Sequence, residues 1–412
     1  MYVRRSAAAL AATVVIGTAA ATPAAAADSA PSASPSVAIP AGLYGTADPT
    51  YDGVWRQSLA LLAQDTVGVQ PAAKAVDWLT GQQCANGAFA PFRADVSTAC
   101  DAKTLVDTNN TAAAVQALAA LGGHDAATGK AVAWLKSVQN KDGGWGYAAG
   151  GPSDANSTSV VVGALTAVGE KPGEVRKGGK SPYDALLKLS LPCGSEDAGA
   201  FAFQPDKKGT LAPNADATAA GVLGVLGKGL VTTAGKAPAS TRQCLGGENR
   251  TPADAALNGA VHLARSLNGT GYLKSALPGA KDQPDYGNTA DAVVALAAAG
   301  LTEQGRESLV WLEQHYAGWA EQSGPAAYAQ LVLAAHAAGT DPRDFGGTDL
   351  VKQLNATGPA PQSARTASEK PEGKRVADDD NGVSVWWIVG VGLVAGIGIG
   401  FLLSGRNKGG RR

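Results

Sequence analysis

Few residues of this chain are of the kinds that hold nucleic acid or metal. Lysine and arginine number 34 against 35 aspartates and glutamates, a net charge of −1, and charged residues make up only 17% of 412. With no charge excess there is no electrostatic footprint for nucleic acid. Histidine is scarce, with four in all. None lies near a cysteine in sequence and no CxxC pair occurs, so the spacing of a zinc site is missing. Phenylalanine occurs only six times, which leaves the core to alanine, valine and leucine within a hydrophobic content of 45%. Glycine, by contrast, occurs 53 times, and with Ala-rich segments it permits close approach of helices.

What the chain does have is a repeat. KAVDWLTGQQCANGAF (Lys74 to Phe89) and KAVAWLKSVQNKDGGW (Lys130 to Trp145) follow one sixteen-residue pattern. Both carry Lys-Ala, then Trp-Leu, a Gln (Gln83, Gln139), and a Gly one residue before a closing aromatic (Phe89, Trp145). Those aromatics lie 56 residues apart, and a weaker copy ends another 56 residues on at Phe201. Further copies end at Tyr272 and Trp319, displaced by Gly/Ser/Thr/Pro-rich insertions such as Gly229 to Pro252. Self-similarity on this scale is the mark of stacked supersecondary units.

A second signature follows each copy: DTNNT (Asp107 to Thr111), DANST (Asp154 to Thr158), NADAT (Asn214 to Thr218) and DYGNT (Asp285 to Thr289). Eleven residues after each Thr stands a glycine, at Gly122, Gly169, Gly229 and Gly300, and Gly339 is in register after Tyr328. Asp, Asn and Thr accept hydrogen bonds from the free N–H groups of a first helical turn. Glycine past an apolar run supplies the left-handed residue that ends a helix. Each unit therefore reads as two helices. The first has one wet face; the second is apolar all round and so buried. Gly53 to Gln64 adds a sixth, unpaired helix. The expected fold is all-α: an α/α toroid, a double ring of about five to six helical hairpins, plus one C-terminal transmembrane helix.

The ends of the chain address it elsewhere. Residues 1–27 have two arginines, an apolar run and a small-residue cleavage zone near Ala26 or Ala27, the form of a secretory signal. A linker is expected over 28–49, the repeat domain over 50–354, and a Pro/Ser/Lys/Asp-rich linker over 355–382. The uncharged stretch from Val383 to Leu403 is long enough to span a bilayer at about 20 residues. The basic tail, 404–412, stays inside by the positive-inside rule. Gly392, Gly396 and Gly400 line one face of that span and offer a surface for self-association. The domain is thus expected outside the cell on a single-pass anchor. Export suits disulfides. Of three possible pairings, local closure favours Cys84 with Cys100 and Cys193 with Cys244.

The sixteen-residue pattern resembles the QW repeat of squalene and oxidosqualene cyclases, over roughly Thr50 to Leu354. The resemblance implies the toroid shared by terpenoid cyclases, prenyltransferase β subunits, complement-type thioester domains and cobalamin carriers. It also implies structural roles for Gln83, Gln139, Phe89 and Trp145: the amide caps a neighbouring helix end and the ring stacks on it. The catalytic signatures of those branches are missing from the repeat domain. There is no DxDD to hold a poised acid, no DDxxD for magnesium, no Asp/Cys/His zinc set and no Cys-Gly-Glu-Gln. No catalytic or metal residue is assigned. The carrier branch would place ligand contacts on Asp107, Asn109, Asp154, Asn156, Asn214, Asp216, Asp285 and Asn288, ringing one mouth above an apolar interior. The same residues equally serve as helix caps. That branch makes a corrinoid or an apolar small molecule the ligand, although no histidine falls in these loops to coordinate cobalt. Three functions follow: a tethered binding protein working with a membrane transporter, a surface module contacting protein or cell-wall polymer, and a secreted cyclase-like enzyme or lyase using scattered carboxylates such as Asp107, Asp154 and Asp285.

Overall fold

A computed structural model of the chain describes residues 38–241, 244–275 and 283–362. The expected signal, the expected membrane span with Gly392, Gly396 and Gly400, the basic tail and most of the second linker lie outside the described residues. Among the described residues, no helix is long and apolar enough to cross a membrane. The regular structure among them is almost wholly helical. In chain order the α-helices are α1 Gly53–Thr66, α2 Ala73–Gly81, α3 Thr108–Leu121, α4 Asp125–Ser137, α5 Ala155–Ala167, α6 Pro182–Leu189, α7 Ala215–Val225, α8 Pro252–Leu267, α9 Tyr286–Ala298, α10 Thr302–His315, α11 Ala317–Ser323, α12 Pro325–Ala338 and α13 Leu350–Ala356. Two short strands, β1 Leu273–Lys274 and β2 Pro284–Asp285, pair antiparallel.

Six of these helices form a closed cycle of neighbours. α1 packs on α3, α3 on α5, α5 on α7, α7 on α9, α9 on α12, and α12 back on α1. They are the apolar segments of the repeat: α3, for instance, carries no charge and is buried along most of its length. The helices between them in sequence pack on neighbouring members of the cycle and keep a wet face; α2 packs on α1 and buries only Ala75 and Leu79. The Gly53 segment is not left unpaired. It closes the cycle between α3 and α12, while α13 packs on α12 and brings the helical hairpins to six.

The repeat motifs hold each hairpin turn to the next inner helix. The Phe89 N–H donates to Thr111 Oγ1 at 2.9 Å, Trp145 N–H to Thr158 at 3.0 Å, Phe201 N–H to Thr218 at 3.0 Å, and Leu273 N–H to Thr289 at 3.0 Å. The threonines are therefore not the caps of their own helices; that role falls to the residue four positions earlier. In the fourth unit Leu273, not Tyr272, takes the buried place, because Gly271 fixes the register. Trp319 lies within α11 and stacks on Tyr286 instead of closing a turn.

The glutamines also differ from their expected role. The Gln83 amide donates to the Gly87 carbonyl in its own turn, at 3.0 Å, and to Ala127 in the first turn of α4, at 2.8 Å. Gln139 does likewise to Gly143, at 2.8 Å, and to Val175 before α6, at 3.2 Å. The helix end is capped by the ring instead: the buried Trp145 indole N–H donates to Leu135 O in the last turn of α4, at 2.7 Å.

Gly122, Gly169, Gly300 and Gly339 have positive φ at or just past the ends of α3, α5, α9 and α12, as the spacing predicts. After α7 the left-handed residue is Gly227, at φ 64°, so Gly229 is free for another use. Both disulfides pair as local closure favours, Cys84 with Cys100 and Cys193 with Cys244. They close separations of 16 and 51 residues. The packed chain begins upstream of Thr50, since Leu43 and Tyr44 are buried.

Gly143 supports a direct test of this turn. Its φ is 92°, and a Cβ there would meet the Ser181 carbonyl carbon at 2.6 Å, whereas at Gly122 (φ 70°) nothing lies within 4 Å. Gly122→Ala should cost about 1 kcal/mol of backbone strain alone. Gly143→Ala should lower the urea midpoint well beyond that. Equal midpoints for the two variants would contradict the packing described.

Candidate functional site

The inner helices leave a cavity of about 250 Å³ between them, and all six contribute to its wall. Apolar surface comes from Trp55 and Leu59 of α1, Leu223 of α7, Val294 of α9 and Leu333 of α12. Polar groups come from Asn109 of α3, Asn156 and Ser159 of α5, Asp216 of α7, Asp291 of α9 and Gln330 of α12. Lys228, Gly229 and Leu230 line the cavity on the side of the later turns of α3 and α5. This is the start of the insertion after α7. The Leu230 N–H donates to Gln116 Oε1 at 2.8 Å, and a Cβ on Gly163 of α5 would meet the Gly229 Cα at 2.7 Å. Glycine at both positions lets the loop lie against α5, and Gln116 also donates to Val160 O at 3.1 Å. The loop floors the cavity.

The eight residues expected to ring a mouth divide in two. Asp107, Asp154, Asn214 and Asp285 are N-caps, accepting from Asn110 N–H at 2.7 Å, Ser157 N–H at 2.7 Å, Ala217 N–H at 2.7 Å and Asn288 N–H at 3.0 Å. Asn288 spends its side-chain amide on the second oxygen of Asp285, at 2.8 Å. Asp107 and Asp154 are almost fully buried, and burial outweighs their hydrogen bonds and pushes both carboxyls above their ordinary range. None of these five lines the cavity; Asn109, Asn156 and Asp216 do. The offset is helical. The cap faces the helix end, and the residue two positions later faces the axis of the cycle. Asp107, Asp154 and Asp285 do not line this cavity.

Asp291 and Gln330 are the site residues that the loop signatures did not reveal. Both sit on the sixth residue of their helices, more than one turn past the cap. Gln330 Nε2 donates to both Asp291 oxygens, at 3.2 Å each. Asn156 Nδ2 donates to Asp216 Oδ2. Among the described residues no lysine or arginine pairs with either carboxylate. Burial pushes the Asp216 carboxyl up, with a further rise from the charge of Asp285, against the Asn156 hydrogen bond. Asp291 is pushed up to about 7, chiefly by burial, then by the charges of Asp216 and Asp285, with the Gln330 bond opposing. Asp291 is half-buried, with its side chain on the cavity wall, and the loss of surrounding water there is why burial dominates.

The consequence for stability has a definite sign. Below about pH 4 the Asp291 carboxyl is neutral in folded and unfolded chains alike, the unfolded value being near 3.8. Between there and pH 7 the unfolded chain ionises while the folded chain keeps its proton, so stability falls as the pH rises. Above 7 the full penalty, on the order of a few kcal/mol, is present. Asp291→Asn should therefore raise the thermal midpoint at pH 8 and flatten its decline between pH 4 and 7. A lower midpoint at pH 8 than the unaltered chain would contradict the burial argument.

No family model matches this chain, and no curated protein matches it. Among solved structures it is similar to a sugar epimerase from a ruminal bacterium, with a TM-score of 0.43 and 14% identity over 67% of this chain and 80% of that one. It is also similar to a protein from Actinoplanes, with a TM-score of 0.32 and 17% identity over 69% of this chain and 100% of that one. Likenesses at those scores carry no argument about chemistry, and the resemblance to QW-repeat proteins rests on the repeat residues themselves.

Proposed function

We propose that the chain is an exported, membrane-tethered α/α toroid that captures a small molecule in its central cavity without transforming it. The closed cycle of six inner helices, each with an outer partner, supports the toroid. The signal-like 1–27 segment and the apolar stretch from Val383 to Leu403 support export and a single-pass anchor, with hand-over to a membrane transporter as the natural next step. The observation that carries the binding reading is the cavity: six helices and an insertion converge on it, and it gathers polar groups within an apolar wall.

The cavity narrows the ligand. At about 250 Å³ it falls below the roughly 300–1,000 Å³ common for drug-sized ligands. No histidine lines it. A corrinoid, far larger and in want of a cobalt ligand, does not fit.

Ala220, small and on the cavity wall from α7, offers the test. The purified full-length chain should release a small molecule on denaturation, detectable by mass spectrometry at near-equal stoichiometry. Ala220→Trp, which fills the cavity, should release none while keeping its circular dichroism spectrum. The same released species from both proteins, or none from either, would count against capture in the cavity and turn attention to the outer faces.

A further inference from the structure

We infer that the cavity is a receptor site for a small organic ammonium ion, its charged end held by Asp216 and Asp291 and its apolar body by the surrounding wall. This rests on the capture reading above and names the class of ligand. The first argument is charge. Asp216 and Asp291 line one cavity, Asp285 acts on both electrostatically, and among the described residues none of the three has a cationic partner in the cavity wall. Lys228, on the floor, is the one cation lining the cavity, and it is exposed. An anion would meet net repulsion there.

The second argument is a count of donors and acceptors. An ionised carboxylate offers about four lone-pair sites, and Asn156 and Gln330 supply one amide nitrogen each. Ser159, on the wall and only 5% exposed, has a hydroxyl with no partner, and Asn156 Oδ1 has none either. Buried polar groups are ordinarily satisfied. The wall thus holds acceptors in excess, and an alkylammonium brings three donors and no acceptor. A sugar or other polyol would need several donors from the wall, where Gln330 Nε2 is engaged and only the Ser159 hydroxyl, the second Asn156 amide hydrogen and exposed Lys228 are left.

The third argument separates an organic cation from a metal ion. Among the described residues no group of three or more His, Cys, Asp or Glu side chains is placed to hold a metal. Trp55, Leu59, Val294 and Leu333 offer instead an apolar surface that a bare ion could not use. Ligand charge would also offset the desolvation that burdens Asp291 in the empty protein, since an opposite charge favours the ionised carboxylate.

Calorimetric titration of the full-length chain in nanodiscs at pH 8 tests this, with alkylammonium ions from methylammonium to phenethylammonium set against the corresponding neutral alcohols. The best ammonium should bind at least tenfold more tightly than its alcohol. Asp291→Asn and Asp216→Asn, each confirmed folded by circular dichroism, should remove that preference while leaving alcohol binding within about twofold. If alcohol and ammonium bind equally, the charge inference is overturned and cavity capture stands. If neither series binds and the chain also releases nothing on denaturation, both readings fall.

Discussion

The hydrogen bond from a turn N–H to a buried threonine hydroxyl is the contact on which the rest of this fold depends. It recurs at Thr111, Thr158, Thr218 and Thr289, each time linking the closing residue of one hairpin to the first turn of the next inner helix. Three of these hydroxyls also donate to the carbonyl of the cap residue, Asp107 at 2.7 Å, Asn214 at 2.6 Å and Asp285 at 2.5 Å. One side chain thus fixes both the start of a helix and the turn that precedes it. In the first unit Gln57 takes this place, accepting from Tyr44 N–H at 2.9 Å and donating to Gly42 O at 3.0 Å and Ala75 O at 2.8 Å. A threonine cannot reach so far, and the longer amide spans to α2 as well. With the starts of α3, α5 and α7 pinned to their turns, the residue two positions past each of those three caps lines the cavity.

That regularity explains what was legible in the sequence. Asp107 and Gly122 bound a helix in the sequence as they do in space, since capping is local chemistry. The disulfide partners followed from proximity along the chain. The errors arose where tertiary packing sets the choice. Tyr272 is aromatic and Leu273 is not, but the glycine before them decides which faces the core. Gly229 stands eleven residues after Thr218 like its counterparts, yet Gly227 ends α7 and Gly229 lies on the floor. Residues 42–44 look like linker until Gly42 is seen against α2, where a Cβ would collide with the Lys74 carbonyl. Asp291 did leave a trace, as a lone charge within the apolar TADAVVALAAAG segment. An unpaired charge in a buried helix is costly without a use, and that reasoning points to the cavity more directly than the capping loops do.

The insertion after α7 changes what the cycle of helices can hold. Gly229 and Leu230 line the space between the six inner helices, and two absent side chains, at Gly163 and Gly229, make room for them beside α5. Gln116 accepts from the loop and donates to α5, so the floor is tied to two inner helices at once. Low-complexity composition would mark this stretch as dispensable. Its first residues instead form part of the wall of the cavity that holds Asp216 and Asp291.

Closure of the cycle rests on the two ends of the packed chain. The Tyr44 hydroxyl donates to Gln64 Oε1 at 3.0 Å, and Gln64 Nε2 donates to Asn355 Oδ1 at 2.7 Å. The Gly45 N–H reaches Thr357 O at 2.8 Å, and Gln362 bonds to Gln70 and Pro71 through its backbone and its amide. No disulfide crosses this seam, since both lie within consecutive units. The seam joins α1 and its flanking residues to α13 and the residues after it, so it braces the direct α1–α12 packing that brings Trp55 and Leu59 to the wall.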